Sequence, residues 1–161
     1  LPELGINTAI ISIIAQNIGA KYYDRVEQSY YTSIKYGFFI MLIAGVIIFA
    51  CADIVPKFFS SNKDVVIHGS IYLKISAFIL PSYPIFFLSN GFFMALKKSE
   101  KAMLNNIIRN VVVPIFSFYI AKYFDADFKT FFYIWGLFQW LISLILISYV
   151  NYYIKNKLVN I

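Results

Sequence analysis

Apolar residues run along this chain in five long blocks separated by short polar connections. The blocks predict helices over about 4–18, 30–52, 65–96, 102–123 and 130–150. The block from Val65 to Leu96 is the longest, holds no Asp or Glu, and has Lys74 as its one strong charge. At about 1.5 Å per helical residue it crosses a hydrocarbon core of about 30 Å with residues to spare. Pro81 and Pro84 fall in mid-block. A missing N–H and a crowded preceding turn at each predict a kink or local unwinding. Tyr72, Ser76, Tyr83, Phe87 and Asn90 recur at spacings of 3, 4 and 7, on one helix face. Such a helix has two readings. It is a cavity wall in a transporter, or a kinked packing helix whose Ser and Asn bond to neighbours.

The first block is short for a span. Its Thr8, Ser12 and Gln16 share a face, with Gly5 and Gly19 nearby; helix packing and a substrate-lining face are both open. Gly19 is expected to end the helix in a left-handed cap. Lys21, Asp24, Arg25 and Glu27 then form a polar connection over 19–29. In the second block, Lys35 and Tyr36 lie near the start, and Gly37 and Gly45 allow close helix contacts. Asp53 and Pro56 are expected to stop it, and Asp64 to cap the long helix. The only histidine, His68, falls in that helix's first turn, as a surface or packing residue. Asn105, Asn106, Arg109 and Asn110 crowd the start of the fourth block, with Pro114 after them. Arg109 lies about two turns inside, where lipid exposure costs several kcal/mol, so it must snorkel or face protein and water. In the last block Gly136, Gln139 and Ser143 share a face.

Composition sharpens this into a class. The chain is 60% hydrophobic, 20% aromatic and 14% charged, with a mean hydropathy of +0.71. A soluble domain carries about 25% charged residues. The expected fold is therefore an all-α polytopic membrane bundle of about four full spans plus a truncated first helix, embedded in a lipid bilayer. The net charge of +6 does not indicate nucleic-acid binding, because the cations occupy the gaps between apolar blocks. Alternating sides put nine of the 14 cations on the side of 19–29, 97–101 and the tail, leaving five opposite. That side, including Lys155 and Lys157, is expected to be cytoplasmic; Glu3 and the other outer acids lie opposite. The start at Leu1, without Met and almost directly in an apolar helix, is read as a fragment of a longer chain.

Several chemistries lack their residues. There is no Gly-rich phosphate loop and no His/Cys/carboxylate cluster with metal spacing. Cys51 is the single cysteine, which forbids an internal disulfide. No Ser or Cys nucleophile has a plausible His partner. An enzyme is not expected, nor a catalytic residue, a metal or a cofactor.

Particular stretches resemble the multidrug and toxic compound extrusion transporters. Ile14-Ala15-Gln16-Asn17-Ile18-Gly19-Ala20-Lys21, then Asp24-Arg25, resembles the family's helix end and first cytoplasmic connection. Tyr72-Leu73-Lys74-Ile75 followed by Pro81 resembles the start of its proline-broken helix. Arg109 with Pro114 five residues on is similar to the next helix, in the C-terminal half more than the N-terminal. The resemblance implies a twelve-helix exporter in the cell membrane, made of two six-helix lobes that rock around a central cavity. Residues 1–161 would be a single transmembrane lobe, most of the C-terminal half, whose partner is the missing N-terminal lobe.

The implied activity is efflux of drugs or other amphipathic, cationic compounds in exchange for H⁺ or Na⁺. Candidate substrate-cavity residues are Tyr36, Tyr83, Asn90, Arg109 and Gln139; candidate hinges are Pro81, Pro84 and Pro114. Two departures stand out. Tyr83 stands near the position where some branches carry a membrane carboxylate, and Ala95-Leu96-Lys97-Lys98 replaces an Arg-Gly pair. Two alternatives remain. A lipid-linked oligosaccharide flippase of the same superfamily would need cavity cations, for which only Arg109 and Lys74 qualify. A non-transporting membrane subunit or a decayed fragment is the other.

Overall fold

The computed structural model describes residues 2–158. Leu1, residues 159–161 of the tail, and the side chains of Glu3 and Lys157 lie outside the described residues. All elements among the described residues are helical: α1 (Pro2–Gly19), α2 (Tyr23–Cys51), α3 (Val55–Phe59), α4 (Lys63–Ile79), α5 (Ser82–Ala95), α6 (Ser99–Ile107), α7 (Val113–Tyr123) and α8 (Phe128–Tyr153). A π-helical turn, Ile108–Val112, joins α6 to α7, and another, Ile154–Leu158, follows α8. Three continuous helices are long and apolar enough to cross a membrane, at 23–51, 99–123 and 129–156. The pair α4 and α5 makes a fourth when counted as one broken span. The expected all-α membrane bundle is the observed architecture.

α5 is the hub. It packs against α1, α2, α6 and α8, and nearly every residue from Ser82 to Phe93 is buried. Phe86, Leu88, Phe92 and Phe93 meet Ile10 and Ile14 of α1, Tyr30 of α2 and Val150 of α8 in one apolar core. Glycines let α2 approach closely. A Cβ on Gly37 would stand 2.9 Å from Pro84 Cβ, and one on Gly45 would stand 2.7 Å from the Ala77 carbonyl oxygen.

The proline break lies where the sequence put it. α4 ends at Ile79, α5 starts at Ser82, and the two axes bend by 48°. Pro81 is the N-cap of α5 and Pro84 sits in its first turn, where no intrahelical N–H is needed. Pro114 acts differently. It occupies the first turn of α7 directly after the π turn, and Val113 N–H bonds to Ile108 O across five residues. That wider turn absorbs the crowding Pro114 would impose on an α-helix.

Four local expectations are corrected. α2 begins at Tyr23, about two turns before Tyr30, so most of 19–29 is helix. Arg25, Glu27 and Gln28 are sound helix formers, Asp24 favours the first turn, and Val26 anchors the segment in the core. Gly19 is not the left-handed residue. Lys21 takes that role with φ 61°, Tyr22 N–H bonding to Asn17 O and Lys21 N–H to Ile18 O. Lys97 (φ 57°) and Asp125 (φ 47°) end α5 and α7 in the same manner. Pro56 does not only stop α2, which ends at Cys51; it opens the short helix α3. Asn62, not Asp64, caps α4, its Oδ1 accepting from Asp64 N–H at 2.9 Å.

α2 spans about 43 Å at 1.5 Å per residue, so its ends lie at opposite ends of the bundle. Tyr31 near its start donates to Asn151 of α8. Lys98 and Lys101 donate to Tyr153 and Tyr149 of α8. The α1–α2 turn, the α5–α6 turn and the end of α8 therefore share one end. The opposite end holds Asp53, paired with Lys74 at 2.7 Å.

Candidate functional site

The π turn carries the one buried cation among the described residues. Arg109 is 2% exposed. Its guanidinium carbon lies 4.1 Å from the centre of the Phe86 ring and 4.7 Å from that of Tyr83, both on α5. Ring faces are electron-rich and attract a guanidinium. They supply no acceptor for its N–H groups, however, and neither terminal nitrogen has a hydrogen-bond partner. Arg109 therefore faces protein rather than snorkelling.

One turn along, the same seam is polar. Asn105 Nδ2 donates to Asn90 Oδ1 at 2.9 Å. Arg109 follows Asn105 by four residues and Asn90 follows Phe86 by four, so the contacts form two rungs between α5 and the α6–π segment. Asn90 is buried and retains an unpaired amide nitrogen. Ser82 Oγ, Ser117 Oγ and Gln139 Oε1 are also buried without partners. Ser143 Oγ on α8 lies within hydrogen-bond range of Ser82 O (3.2 Å) and Gln139 O (2.9 Å), which ties α8 to the start of α5. Buried polar groups left unpaired cost about 1–3 kcal/mol each. Ser82, at the bend itself, is one of these groups.

Of the five cavity candidates, the structure brings Tyr83 and Arg109 into contact and places Asn90 on the same seam. Gln139 is buried on α8. Tyr36 does not join them: it is 63% exposed on α2. Of the broken helix's polar stripe, Tyr72 packs edge-on against Phe132 of α8, and Tyr83 pairs with Phe87. Phe86, Ser82 and Ser117 were not singled out from sequence.

The bundle's outside carries a groove of about 520 Å³ lined by Phe49, Lys74, Phe78, Tyr133 and Leu137. Its walls are apolar, as suits a lipid-facing surface. No group of three or more His, Cys, Asp or Glu placed to hold a metal occurs among the described residues.

A family model described as MatE matches residues 1–120. A protein of Bacillus subtilis (strain 168) described as "Probable multidrug resistance protein YpnP" is 29% identical over 130 residues. The match covers 80% of this chain and 27% of that protein, so the chain spans about a quarter of its relative's length. No solved structure matches the chain.

Proposed function

The chain belongs to the MatE family, and from that premise we propose that it forms most of the C-terminal lobe of a twelve-helix secondary exporter. The cargo is a drug or other amphipathic organic cation, moved in exchange for H⁺ or Na⁺ as two lobes rock about a central cavity. The observation that carries this reading is the broken α4–α5 span with a buried arginine against its second half. A membrane helix bent at prolines, beside unpaired polar groups, is the architecture of a site that changes access.

The chemistry assigned is transport, not catalysis. Tyr83, with Phe86 and Phe87, offers ring faces for flat cations. The acids Asp24, Glu27, Asp53, Asp64, Glu100, Asp125 and Asp127 all lie in connections or within the first two turns of a helix. A coupling carboxylate at membrane depth therefore belongs to the rest of the longer polypeptide. The end rich in cations, with the α1–α2 and α5–α6 turns and the tail, is the cytoplasmic one. Export is favoured over flipping a lipid-linked oligosaccharide because Lys74 is paired with Asp53 and Arg109 is enclosed by rings. Neither presents a free cation to a pyrophosphate.

The test is transport by the full-length protein in proteoliposomes, with ethidium as the cargo. Efflux driven by an imposed H⁺ or Na⁺ gradient and abolished by the matching ionophore is the expected result. Transport indifferent to both gradients would sink the antiport reading. Rescue of a flippase-deficient strain by the intact gene would replace it.

A further inference from the structure

The α5–α6 turn draws two ammonium groups onto one aromatic cluster. Lys98 Nζ lies 4.7 Å from the centre of the Tyr153 ring and donates to that tyrosine's hydroxyl. Lys101 Nζ lies 5.0 Å from the Tyr149 ring centre, 5.5 Å from those of Phe93 and Tyr153, and donates to Tyr149 Oη at 2.5 Å. Phe93 and Tyr149 stack with centroids 5.3 Å apart, and Phe93 meets Tyr153 edge-on. The cations are therefore held, not waving in solvent.

Two ammonium groups drawn to one ring, that of Tyr153, favour an anion between them. Among the described residues neither lysine has a carboxylate within ion-pair distance: Glu100 stands exposed in the same turn and pairs with neither. Lys97, forced to φ 57°, adds a third cation beside them, and Lys155 stands two residues past Tyr153. Each ammonium has three donors, of which the tyrosine hydroxyl takes one. The pair sits at the end of the bundle that also holds the α1–α2 turn and the end of α8. Tyr149, 38% exposed on α8, supplies an apolar ring face at the surface beside them.

We propose that Lys98 and Lys101, seated on Tyr149 and Tyr153, form a binding site for the phosphate of an anionic phospholipid. The phosphodiester bridges the two ammonium groups and its acyl chains lie along α8. A zwitterionic lipid carries its own cation and loses this advantage. Each lysine at a membrane surface is worth roughly a fivefold gain in affinity for an anionic lipid.

The test uses the full-length protein solubilised in detergent and titrated with phosphatidylglycerol, phosphatidylcholine or inorganic phosphate. Bound lipid is counted by native mass spectrometry, and stabilisation is read from thermal unfolding. Phosphatidylglycerol should bind and raise the unfolding temperature, and phosphatidylcholine should do neither. Lys98→Gln with Lys101→Gln should weaken the phosphatidylglycerol effect roughly fivefold for each lysine removed. The Lys98→Arg, Lys101→Arg variant should keep most of it. Should the double glutamine variant fail to fold, Lys101→Gln alone carries the test, because the Lys101–Tyr149 bond is exposed. Equal retention of phosphatidylglycerol by wild type and glutamine variants would overturn the site. Equal stabilisation by inorganic phosphate alone would overturn the lipid as its occupant.

Discussion

Arg109 and Phe86 face each other across the seam between α5 and the π turn, 4.1 Å from guanidinium carbon to ring centre. The pairing joins a side chain that stays protonated in proteins to a surface that attracts cations yet accepts few hydrogen bonds. Such an arrangement holds the arginine in place without neutralising it. The π turn is what aims it there, since one wider turn rotates every following side chain relative to α6. Tyr83 closes the other side at 4.7 Å. The residue thus links the two irregularities of the bundle, the Pro81 break and the π turn before Pro114.

Removing that charge should separate stability from function. A buried ion without acceptors is costly, and apolar replacements of similar volume are often neutral or stabilising by about 1–4 kcal/mol. Arg109→Met in the full-length protein is therefore expected to unfold at the same or a higher temperature and to lose transport. Arg109→Lys keeps the charge but not the planar stacking group, and should transport poorly as well. A strongly destabilised Arg109→Met would mean that the guanidinium serves packing alone.

Glycines at helix crossings should not be interchangeable. A Cβ on Gly45 would meet the Ala77 carbonyl oxygen at 2.7 Å, and backbone cannot step aside. Gly45→Ala is expected to cost about 1–3 kcal/mol. Gly5 has nothing within 4 Å, so Gly5→Ala should gain about 0.5–1 kcal/mol from helix propensity. Thermal unfolding of the two variants side by side checks both signs. Equal effects would mean that α2 and α4 are further apart than this packing has them.

Much of the fold was legible because membrane helices announce themselves by length and apolar content. The blocks, the Pro81 break and the bundle class all follow from hydropathy and from proline's missing N–H. Arg109 was legible as a problem, a charge at membrane depth, and Tyr83 as a neighbour of the break. Phe86 was not, because one phenylalanine among 17 carries no label until a cation stands over it. The start of α2 was misplaced because hydropathy sees charge, whereas Arg25 and Glu27 favour helix and Asp24 suits its first turn. Tyr36 was named for the cavity from its helical face, and its side chain is exposed on α2 in this lobe. Periodicity fixes which residues share a face, but not which face is covered.

The Schellman turn after α1 yields a prediction that runs against composition. Lys21 holds φ 61°, a conformation that costs an L-residue roughly 1–2 kcal/mol and glycine almost nothing. The extra freedom of glycine in the unfolded chain takes part of that back. Lys21→Gly is expected to stabilise by about 0.5–1 kcal/mol. Gly19, by contrast, is not at positive φ and has open space around its Cβ position. Gly19→Ala should therefore be tolerated or mildly stabilising. Chemical or thermal unfolding would read both, and loss of stability in Gly19→Ala with none gained in Lys21→Gly would put the cap back at Gly19.

The Asp53–Lys74 pair gives the far end of the bundle an acid dependence of known sign. The Lys74 ammonium donates to Asp53 at 2.7 Å and, with its charge, holds that carboxyl below the ordinary value of 3.8. Ser70 and Lys57 act in the same direction. A carboxyl depressed on folding binds fewer protons in the folded state, so the pair's contribution is fully present above the ordinary value. It disappears as pH falls through the folded one. The carboxylate is solvent-exposed, and the effect is correspondingly small. Asp53→Asn should therefore unfold slightly below wild type at pH 6, and the gap should close as pH falls through the carboxyl's depressed folded value. High salt should narrow the gap at pH 6 through screening. A gap that widened on acidification would mean that Asp53 is held by something other than Lys74.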